Sequence, residues 1–172
     1  MAIRPIVILP DPVLRRKAEP VAAVDADIRQ LMDNMLETMY DAPGIGLAAP
    51  QVGVSSRVIV MDCSDDEEAP EPLKMANPEI IWTSEETDKL EEGCLSIPGH
   101  RGDVTRPKEI ELTYLDENGA AQQLRTGGLL AVCIQHEIDH LDGVLFIDYL
   151  SRLKRDMIIR KMTKEARLDK GQ

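Results

Sequence analysis

Residues 129–141 read L-L-A-V-C-I-Q-H-E-I-D-H-L, and this stretch determines how the rest of the chain is interpreted. Apart from Gln135 and the polar residues of the H-E-x-x-H motif that follows it, the stretch is apolar, which predicts a helix that is central in the fold and nearly enclosed. On a helix, His136 and His140 lie on one face about one turn apart, where both imidazoles can bind one metal ion. Glu137 projects about 100° around the helix from His136, so it suits a base for a metal-bound water.

A third metal ligand has to come from another segment, because a hydrolytic metal centre needs three protein ligands and one open position. Side chains that can bind a metal include Cys94, Cys133, His100 and many acidic residues. Cys94 stands out because the small Gly93 before it allows another chain or a ligand to approach the backbone closely. Spacing alone leaves the choice open, since a free cysteine is usually an inert buried side chain.

The composition fits one ordinary domain. The chain has 172 residues, of which 43% are hydrophobic, so we predict a single domain over residues 1–172. The apolar run at residues 6–9 is too short for a signal-peptide core or a membrane span, and we therefore expect a soluble, cytoplasmic protein. Three cysteines without repeated spacing argue against a disulfide framework and indicate a reducing compartment.

Charge is distributed unevenly along the chain. The net charge of −11 argues against broad nucleic-acid binding, which needs clustered lysine and arginine. Residues 151–172 nevertheless contain eight basic and three acidic residues, a net charge of +5 that leaves −16 for the rest. We predict a basic C-terminal helix here, capped by Ser151, which either presents a solvated face or binds a polyanionic partner. The side chains expected to point inward are Leu153, Met157, Ile158 and Met162.

Another helix is predicted near the N-terminus. Residues 25–40 carry apolar side chains at steps of three and four, with Asp25 available as a cap and Pro43-Gly44 ending the run. This pattern is typical of an amphipathic helix. Residues 64–72, rich in acidic residues and proline, are predicted to form an exposed loop without chemistry.

Several segments predict β-strands. Residues 57–61 (R-V-I-V-M) indicate a buried strand, and residues 80–82 indicate a short one. Polar and apolar residues alternate over residues 109–114, and a second such run covers residues 121–124. Asn118-Gly119 between these two runs predicts a β-hairpin.

Three separated segments resemble the signature motifs of peptide deformylases. They are residues 44–53 (G-I-G-L-A-A-P-Q-V-G), residues 92–96 (E-G-C-L-S) and residues 135–140 (Q-H-E-I-D-H), in the order and wide separation of that family. The likeness extends over nearly the whole chain. It implies an α+β fold, in which antiparallel β-sheets pack around a central helix that carries the H-E-x-x-H motif, with a C-terminal helix.

The resemblance also implies the chemistry. Peptide deformylases are metal-dependent hydrolases that remove the N-formyl group from the N-terminal methionine of newly synthesised polypeptides and release formate. The resemblance implies three metal ligands, Cys94, His136 and His140. The family commonly uses Fe²⁺, with Zn²⁺, Ni²⁺ or Co²⁺ able to replace it, and a thiolate with two imidazoles suits these ions and not Mg²⁺ or Ca²⁺. Glu137 is implied as general acid and base, with the Gln51 amide and the Leu95 backbone N–H directed at the formyl oxygen.

The substrate site is implied in the same way. The residues implied for an apolar slot that accepts methionine are Ile45, Leu90, Leu129, Val132 and Cys133. The other substrate-binding residues are Gly44, Gly46, Gly93 and Arg101, with the backbone of Gly46 and Gly93 pairing to the extended peptide like an added strand. His100 is interpreted as a surface histidine without a role. Expected partners are N-formylmethionyl nascent peptides and, through the basic helix, the ribosome. We expect no membrane contact and no sequence-specific nucleic-acid binding.

Three other interpretations of the helix motif remain open on the residues alone. The two histidines can be satisfied core residues without a ligand. Cys133 lies three residues before His136, so Cys94, Cys133 and the two histidines could form a closed structural zinc site, although the metal would lie about a turn beyond Cys133. A zinc protease shares the motif, but its third ligand usually follows the helix, and no histidine follows His140.

Overall fold

The computed structural model describes residues 2–170, within which the chain forms three α-helices and seven β-strands. In chain order these are α1 (Ala26–Asp41), β1 (Gly46–Ala48), β2 (Val58–Met61), β3 (Leu73–Thr83), β4 (Thr87–Cys94), β5 (Ile97–Pro107), β6 (Glu109–Leu115), β7 (Ala121–Gly127), α2 (Gly128–Leu141) and α3 (Arg152–Lys170). Residues 171 and 172, which belong to the predicted basic segment, lie outside the described residues. No helix in the described part of the chain is long and apolar enough to cross a membrane.

All strand pairs of the two sheets are antiparallel. Five strands form one sheet in the order β1-β2-β3-β6-β7, and β4 and β5 form a separate hairpin. Helix α2 packs against the larger sheet and also contacts β5, so it lies between the two sheets. The predicted α+β class with antiparallel sheets around this helix is confirmed.

Strand β2 shows how the core is divided. Its side chains alternate between the two faces of the sheet, and all four are buried. Ile59 and Met61 pack in the cluster that includes Ile134 of α2, whereas Val58 and Val60 pack in the cluster formed with α1. Full burial of such a side chain contributes about 1.5–3 kcal/mol. The two helices therefore cover opposite faces of β2.

Most predicted elements are confirmed. Helix α1 begins after Asp25, whose carboxylate accepts a hydrogen bond from the Ile28 N–H at 2.9 Å and so caps the helix. The predicted hairpin forms as β6 and β7. The predicted strand at residues 80–82 is part of the longer β3, and the loop at residues 64–72 is largely exposed.

The inward face of α3 differs in part from the prediction. Ile158 and Met162 are buried against Phe146, as predicted, but the side chains of Leu153 and Met157 are 71% and 57% exposed. Helix geometry places these two residues about 100° or more around the axis from Ile158. The prediction for Leu153 and Met157 was wrong because α3 contacts the body of the protein along one narrow stripe only.

Candidate active site

Three potential metal-binding atoms meet between the hairpin and α2. The donor atoms of Cys94, His136 and His140 all lie within 4.8 Å of one another, and His140 Nε2 is 3.3 Å from Cys94 Sγ. In a tetrahedral site with the usual zinc bond lengths, a sulfur and a nitrogen ligand are about 3.6 Å apart. Within residues 2–170, the donor set therefore has the spacing and the chemistry that one transition-metal ion requires.

Cys94 reaches this cluster because the hairpin changes register beside it. Gly93 pairs with Arg101, whereas Cys94 pairs with Ile97, so the strands shift between Gly93 and Cys94. Such irregularities bend a strand and redirect its side chains. A Cβ on Gly93 would lie 3.2 Å from Arg101 Nη1, which leaves little space for a larger residue. The hairpin thus ends by turning the Cys94 thiol toward α2.

A buried carboxylate orients one of the histidines. His136 Nδ1 lies 2.9 Å from Glu92 Oε1, so its N–H donates to the carboxylate and Nε2 faces Cys94 and His140. Arg106 donates to both oxygens of Glu92, at 2.7 and 3.0 Å, and to Asp139 at 2.8 Å. Burial alone would raise the pKa of Glu92, but the bonds from His136 and Arg106 outweigh it and hold this pKa below its usual value.

Sequence reasoning did not assign roles to Glu92 or Arg106. Glu92 could have been suspected, since it is a carboxylate in the same short motif as Cys94. Arg106 gave no local signal because it lies on β5, 14 residues beyond Glu92 along the chain. Its guanidinium also lies 4.8 Å from the ring centre of Tyr149, whose hydroxyl donates to Asp139 at 2.7 Å. Glu92, Arg106 and Asp139 therefore form an ionic network on the side of His136 that faces away from the donor cluster.

Glu137 lies beside the donor cluster and is buried. Its Oε1 is 3.7 Å from His136 Nε2, and within residues 2–170 its buried Oε2 has no hydrogen-bond partner. Burial raises the pKa of Glu137 to about 7, against the opposing charges of His136 and Arg106. A carboxyl group with a pKa near neutrality can both accept and return a proton.

The two histidines differ in their proton affinity. Burial keeps the pKa of His140 well below its usual value, so this ring is neutral, as a metal ligand must be. Burial also lowers the pKa of His136, but its hydrogen bonds to Cys94 and Glu92 outweigh that effect and raise it to about 10. Metal binding at His136 Nε2 therefore has to displace a proton.

Gln51 is held with its amide group toward the cluster. Its side chain is 1% exposed, and its Oε1 accepts a hydrogen bond from the Ala48 N–H at 2.9 Å. The Nε2 group lies 3.1 Å from Ser96 Oγ and 3.4 Å from Cys94 Sγ. The short 3-10 helix Ala49–Val52 positions this side chain. The anchored oxygen leaves the NH₂ as the donor that faces the site.

A cavity of about 1010 Å³ opens beside Glu137 and His136. Its lining includes every residue that the resemblance implied for substrate binding, namely Gly44, Ile45, Gly46, Leu90, Gly93, Arg101, Leu129, Val132 and Cys133. Gln51 and Leu95 also line it. His100, interpreted above as a surface histidine, lies on β5 and is half-buried in the cavity wall. The structure thus brings the three sequence motifs into one cleft.

Cys133 lies apart from the donor cluster. Its Sγ is 3.7 Å from the carbonyl oxygen of Ile45, and a Cβ on Gly46 would lie 2.7 Å from it. Within residues 2–170, the metal-binding group comprises Cys94, His136 and His140 without Cys133. The arrangement resembles an open three-ligand centre next to a cavity more than a closed structural site.

Comparison with known proteins agrees with this description. The chain is 57% identical over 167 residues to the peptide deformylase of Rhizobium meliloti (strain 1021), covering 97% of this chain and 96% of that protein. The crystal structure of peptide deformylase from Ehrlichia chaffeensis superposes with a TM-score of 0.91 at 44% identity, covering 98% and 99% of the two chains. A second structure from that organism, in complex with actinonin, has a TM-score of 0.91 at 45% identity, covering 96% and 98%.

The fold and the site together define the class of protein, a metal-dependent hydrolase. The family model for polypeptide deformylase matches residues 3–156. This match and the similarity to the relatives show that the chain belongs to the polypeptide deformylase family. Enzymes of this family remove the N-formyl group from nascent polypeptides.

Proposed function

We propose that Cys94, His136 and His140 hold one divalent metal ion, with Fe²⁺ as the native ion and Zn²⁺, Ni²⁺ or Co²⁺ able to replace it. The observation that carries this proposal is the donor cluster, in which the sulfur of Cys94 and two imidazoles lie within 4.8 Å of one another beside the buried carboxyl group of Glu137. Soft thiolate and imidazole ligands favour these ions over Mg²⁺ and Ca²⁺.

We infer that Glu137 is the general acid and base of formyl hydrolysis. An ion of this kind supplies Lewis-acid chemistry that makes water nucleophilic at neutral pH. Glu137 accepts the proton of the attacking water, and its Oε2, which has no hydrogen-bond partner within residues 2–170, is the atom available to hold it. The carboxyl group then returns the proton to the departing amine, so the products are formate and a free N-terminus. Burial raises the pKa of Glu137 toward neutrality, which suits a group that both accepts and returns a proton.

Gln51 and Leu95 are proposed to stabilise the negative charge that develops on the formyl oxygen. The Gln51 NH₂ faces the cluster because its Oε1 is bound to the Ala48 N–H. The backbone of Leu95 follows Cys94 directly and lines the same cavity. Donors fixed before the reaction need no reorganisation, and the loss of one such donor typically costs about 2.7–4 kcal/mol of transition-state stabilisation.

The cavity fits an N-terminal methionine followed by an extended peptide. Ile45, Leu90 and Leu129 are partly exposed apolar side chains in the cavity wall, as a methionine slot requires. Strand β1, which begins at Gly46, is an edge strand of the five-stranded sheet. Within the described residues it therefore has a neighbouring strand on one side only. We propose that the substrate backbone adds there, between Gly46 and Gly93.

Arg101 is proposed to contact the peptide further from its N-terminus. Its side chain is largely exposed at the cavity and bonds Glu91 at 2.8 Å. An exposed ion pair contributes little to stability, so the guanidinium can exchange this partner for a peptide carbonyl or carboxylate at small cost.

We further propose that α3 docks this enzyme on the ribosome, in the cytoplasm where nascent chains emerge. Basic residues exposed on the helix support this: Arg152, Lys154, Arg160, Lys161, Lys164 and Arg167. Since Ile158 and Met162 are core residues, deleting the helix would also disturb the fold. Replacing the exposed basic residues by glutamate is the cleaner test, and unchanged co-sedimentation with ribosomes would refute the docking.

The decisive experiment measures formate release from formyl-Met-Ala-Ser by protein purified anaerobically, with metal content assayed in parallel. The wild type is expected to release formate, and Glu137→Gln is expected to retain the metal but lose activity. Cys94→Ser should lose the metal and Cys133→Ser should keep it, which distinguishes the open from the closed site. A fully metallated wild type that releases no formate would overturn the proposal, and cleavage of internal peptide bonds would indicate a protease instead.

A further inference from the structure

Two cysteines outside the donor cluster, Cys63 and Cys133, pack in the same part of the core. Side chains alternate along β2, so Ile59 and Met61 point to the face of the sheet that α2 covers, and Cys63 follows two residues after the end of this strand. Ile59 and Met61 belong to the cluster that contains Cys133 of α2, and Cys63 packs against that same cluster. Cys63 therefore packs on the side of the sheet that faces α2.

The backbone around Ile45 independently places the two cysteines together. The carbonyl oxygen of Ile45 accepts a hydrogen bond from the Asp62 N–H at 2.9 Å, and the same oxygen lies 3.7 Å from Cys133 Sγ. Cys63, the residue after Asp62, is therefore a neighbour of Cys133. The two thiols are close enough to shift each other's pKa, that of Cys63 downward and that of Cys133 upward.

The two thiols have complementary properties for oxidation. Cys63 is partly exposed, whereas Cys133 is buried and lines the substrate cavity. The hydrogen bond from Cys133 lowers the pKa of Cys63, which favours its reactive thiolate form. A reactive, accessible thiol next to a second thiol that can resolve it is typical of a redox-sensitive pair.

We propose that Cys63 and Cys133 form a redox-sensitive pair that hydrogen peroxide converts to a disulfide. In the first step the Cys63 sulfur attacks peroxide, the O–O bond breaks, and a sulfenic acid and one water form. In the second step the Cys133 sulfur attacks the Cys63 sulfur, and the sulfenic oxygen leaves as a second water with the thiol proton. Two electrons pass from the two thiols to one peroxide molecule.

The disulfide would alter the cavity wall. In the reduced protein, Cys133 Sγ lies 3.7 Å from the Ile45 carbonyl oxygen and 2.7 Å from the position that a Cβ on Gly46 would occupy. Two carbon atoms of the Glu137 side chain lie 3.2 Å from the same position. Bond formation has to draw Cys133 Sγ toward Cys63, because two bonded sulfurs approach to about 2.05 Å. Oxidation therefore changes the shape of the substrate site, and reduction by a thiol restores it.

The experiment uses the zinc-loaded protein, since Zn²⁺ has no redox chemistry of its own. Trypsin separates the three cysteines into three peptides, residues 58–74, 90–101 and 126–152. After peroxide treatment, alkylation and digestion without reductant, we expect one linked species. Its mass should equal that of peptides 58–74 and 126–152 together minus two hydrogen atoms, and dithiothreitol should separate it. Free Cys63 and Cys133 after treatment, or a link to peptide 90–101, would overturn the proposal.

The matched variant is Cys63→Ser, which removes the accessible thiol and leaves Cys133 and the three metal ligands in place. Under peroxide the wild type is expected to lose most of its formate release and to recover it with dithiothreitol, whereas the variant should keep its activity. Equal inactivation of both proteins would refute a role of the pair in controlling activity. This arm rests on the proposed function, but the peptide mapping does not, so the two can fail separately.

Discussion

The Nδ1 atom of His136 lies 2.9 Å from Oε1 of Glu92, so a buried carboxylate on the hairpin fixes the orientation of a histidine on α2. This bond joins the two segments that supply the proposed metal ligands. Arg106 in turn donates hydrogen bonds to both oxygens of Glu92 and so fixes the orientation of this carboxylate relative to the His136 ring. The proposed metal site therefore depends on Glu92 and Arg106, which are not among its proposed ligands.

Replacing Glu92 by glutamine should weaken metal binding about 10- to 100-fold, which is typical when the carboxylate behind a ligating histidine is lost. The amide still reaches His136 but loses its charge pair with Arg106. Metal affinity is measured by competition with a coloured chelator. Glu91→Gln, an exposed neighbour on the same strand, is the control and should bind metal like the wild type. Equal affinities for the two variants would contradict the role of Glu92.

Replacing Gly46 by alanine should destabilise the protein by about 1–3 kcal/mol, the usual cost of overpacking. The new methyl group would lie 2.7 Å from Cys133 Sγ and 3.2 Å from the Glu137 carboxyl carbon. The free energy of unfolding is measured by urea denaturation. Combining the change with Cys133→Ala removes the closest clash, and the double variant should lose less stability than the sum of the single changes. An additive result would show that the sulfur is not the obstacle.

Asp62→Asn should lower the stability at neutral pH, and the difference from the wild type should shrink in acid. Burial alone would raise the pKa of Asp62, but hydrogen bonds from Tyr40, Ser64 and Glu71 outweigh it and hold this pKa below its usual 3.8. The stabilisation by the carboxylate is therefore complete above pH 3.8 and is lost as the pH falls through the lower folded-state value.

This pH dependence is measured by urea denaturation of both proteins at several pH values. The control is Asp65→Asn, a change at an exposed aspartate of the following loop, which should leave stability unchanged at every pH. If the deficit of Asp62→Asn grew toward low pH, the assigned direction of the Asp62 shift would be incorrect.

Replacing an apolar side chain of α3 by alanine should reduce stability strongly at one position and hardly at another. Met162 is 1% exposed, so Met162→Ala should cost about 2–5 kcal/mol of stability through the cavity that it leaves. Leu153→Ala, on the same helix but 71% exposed, should change stability by less than about 0.5 kcal/mol. Thermal and urea unfolding measure both effects. Similar losses for the two variants would mean that α3 packs through a different face in solution.

The hairpin that carries Cys94 could not be predicted from local patterns. Strand β4 (T-D-K-L-E-E-G-C) is mostly polar, and β5 contains proline and two glycines, so neither shows the alternation typical of a half-buried strand. These strands pair with each other and leave many side chains at the surface or at the cavity. Their stability comes from pairing, which local composition does not reveal.

By itself, the sequence determined the three motifs of this protein and the face of α2 that carries the two histidines. The period of the α-helix is enough to place His136 and His140 on one face and to bury that helix, because both follow from residues close together in the chain. The tertiary structure alone decided what lies opposite that face. The 3.3 Å separation of Cys94 and His140, the bond of Arg106 to Glu92 and the approach of Cys63 to Cys133 join distant segments. Such contacts depend on strand order and register, which are set when the whole chain buries its apolar surface.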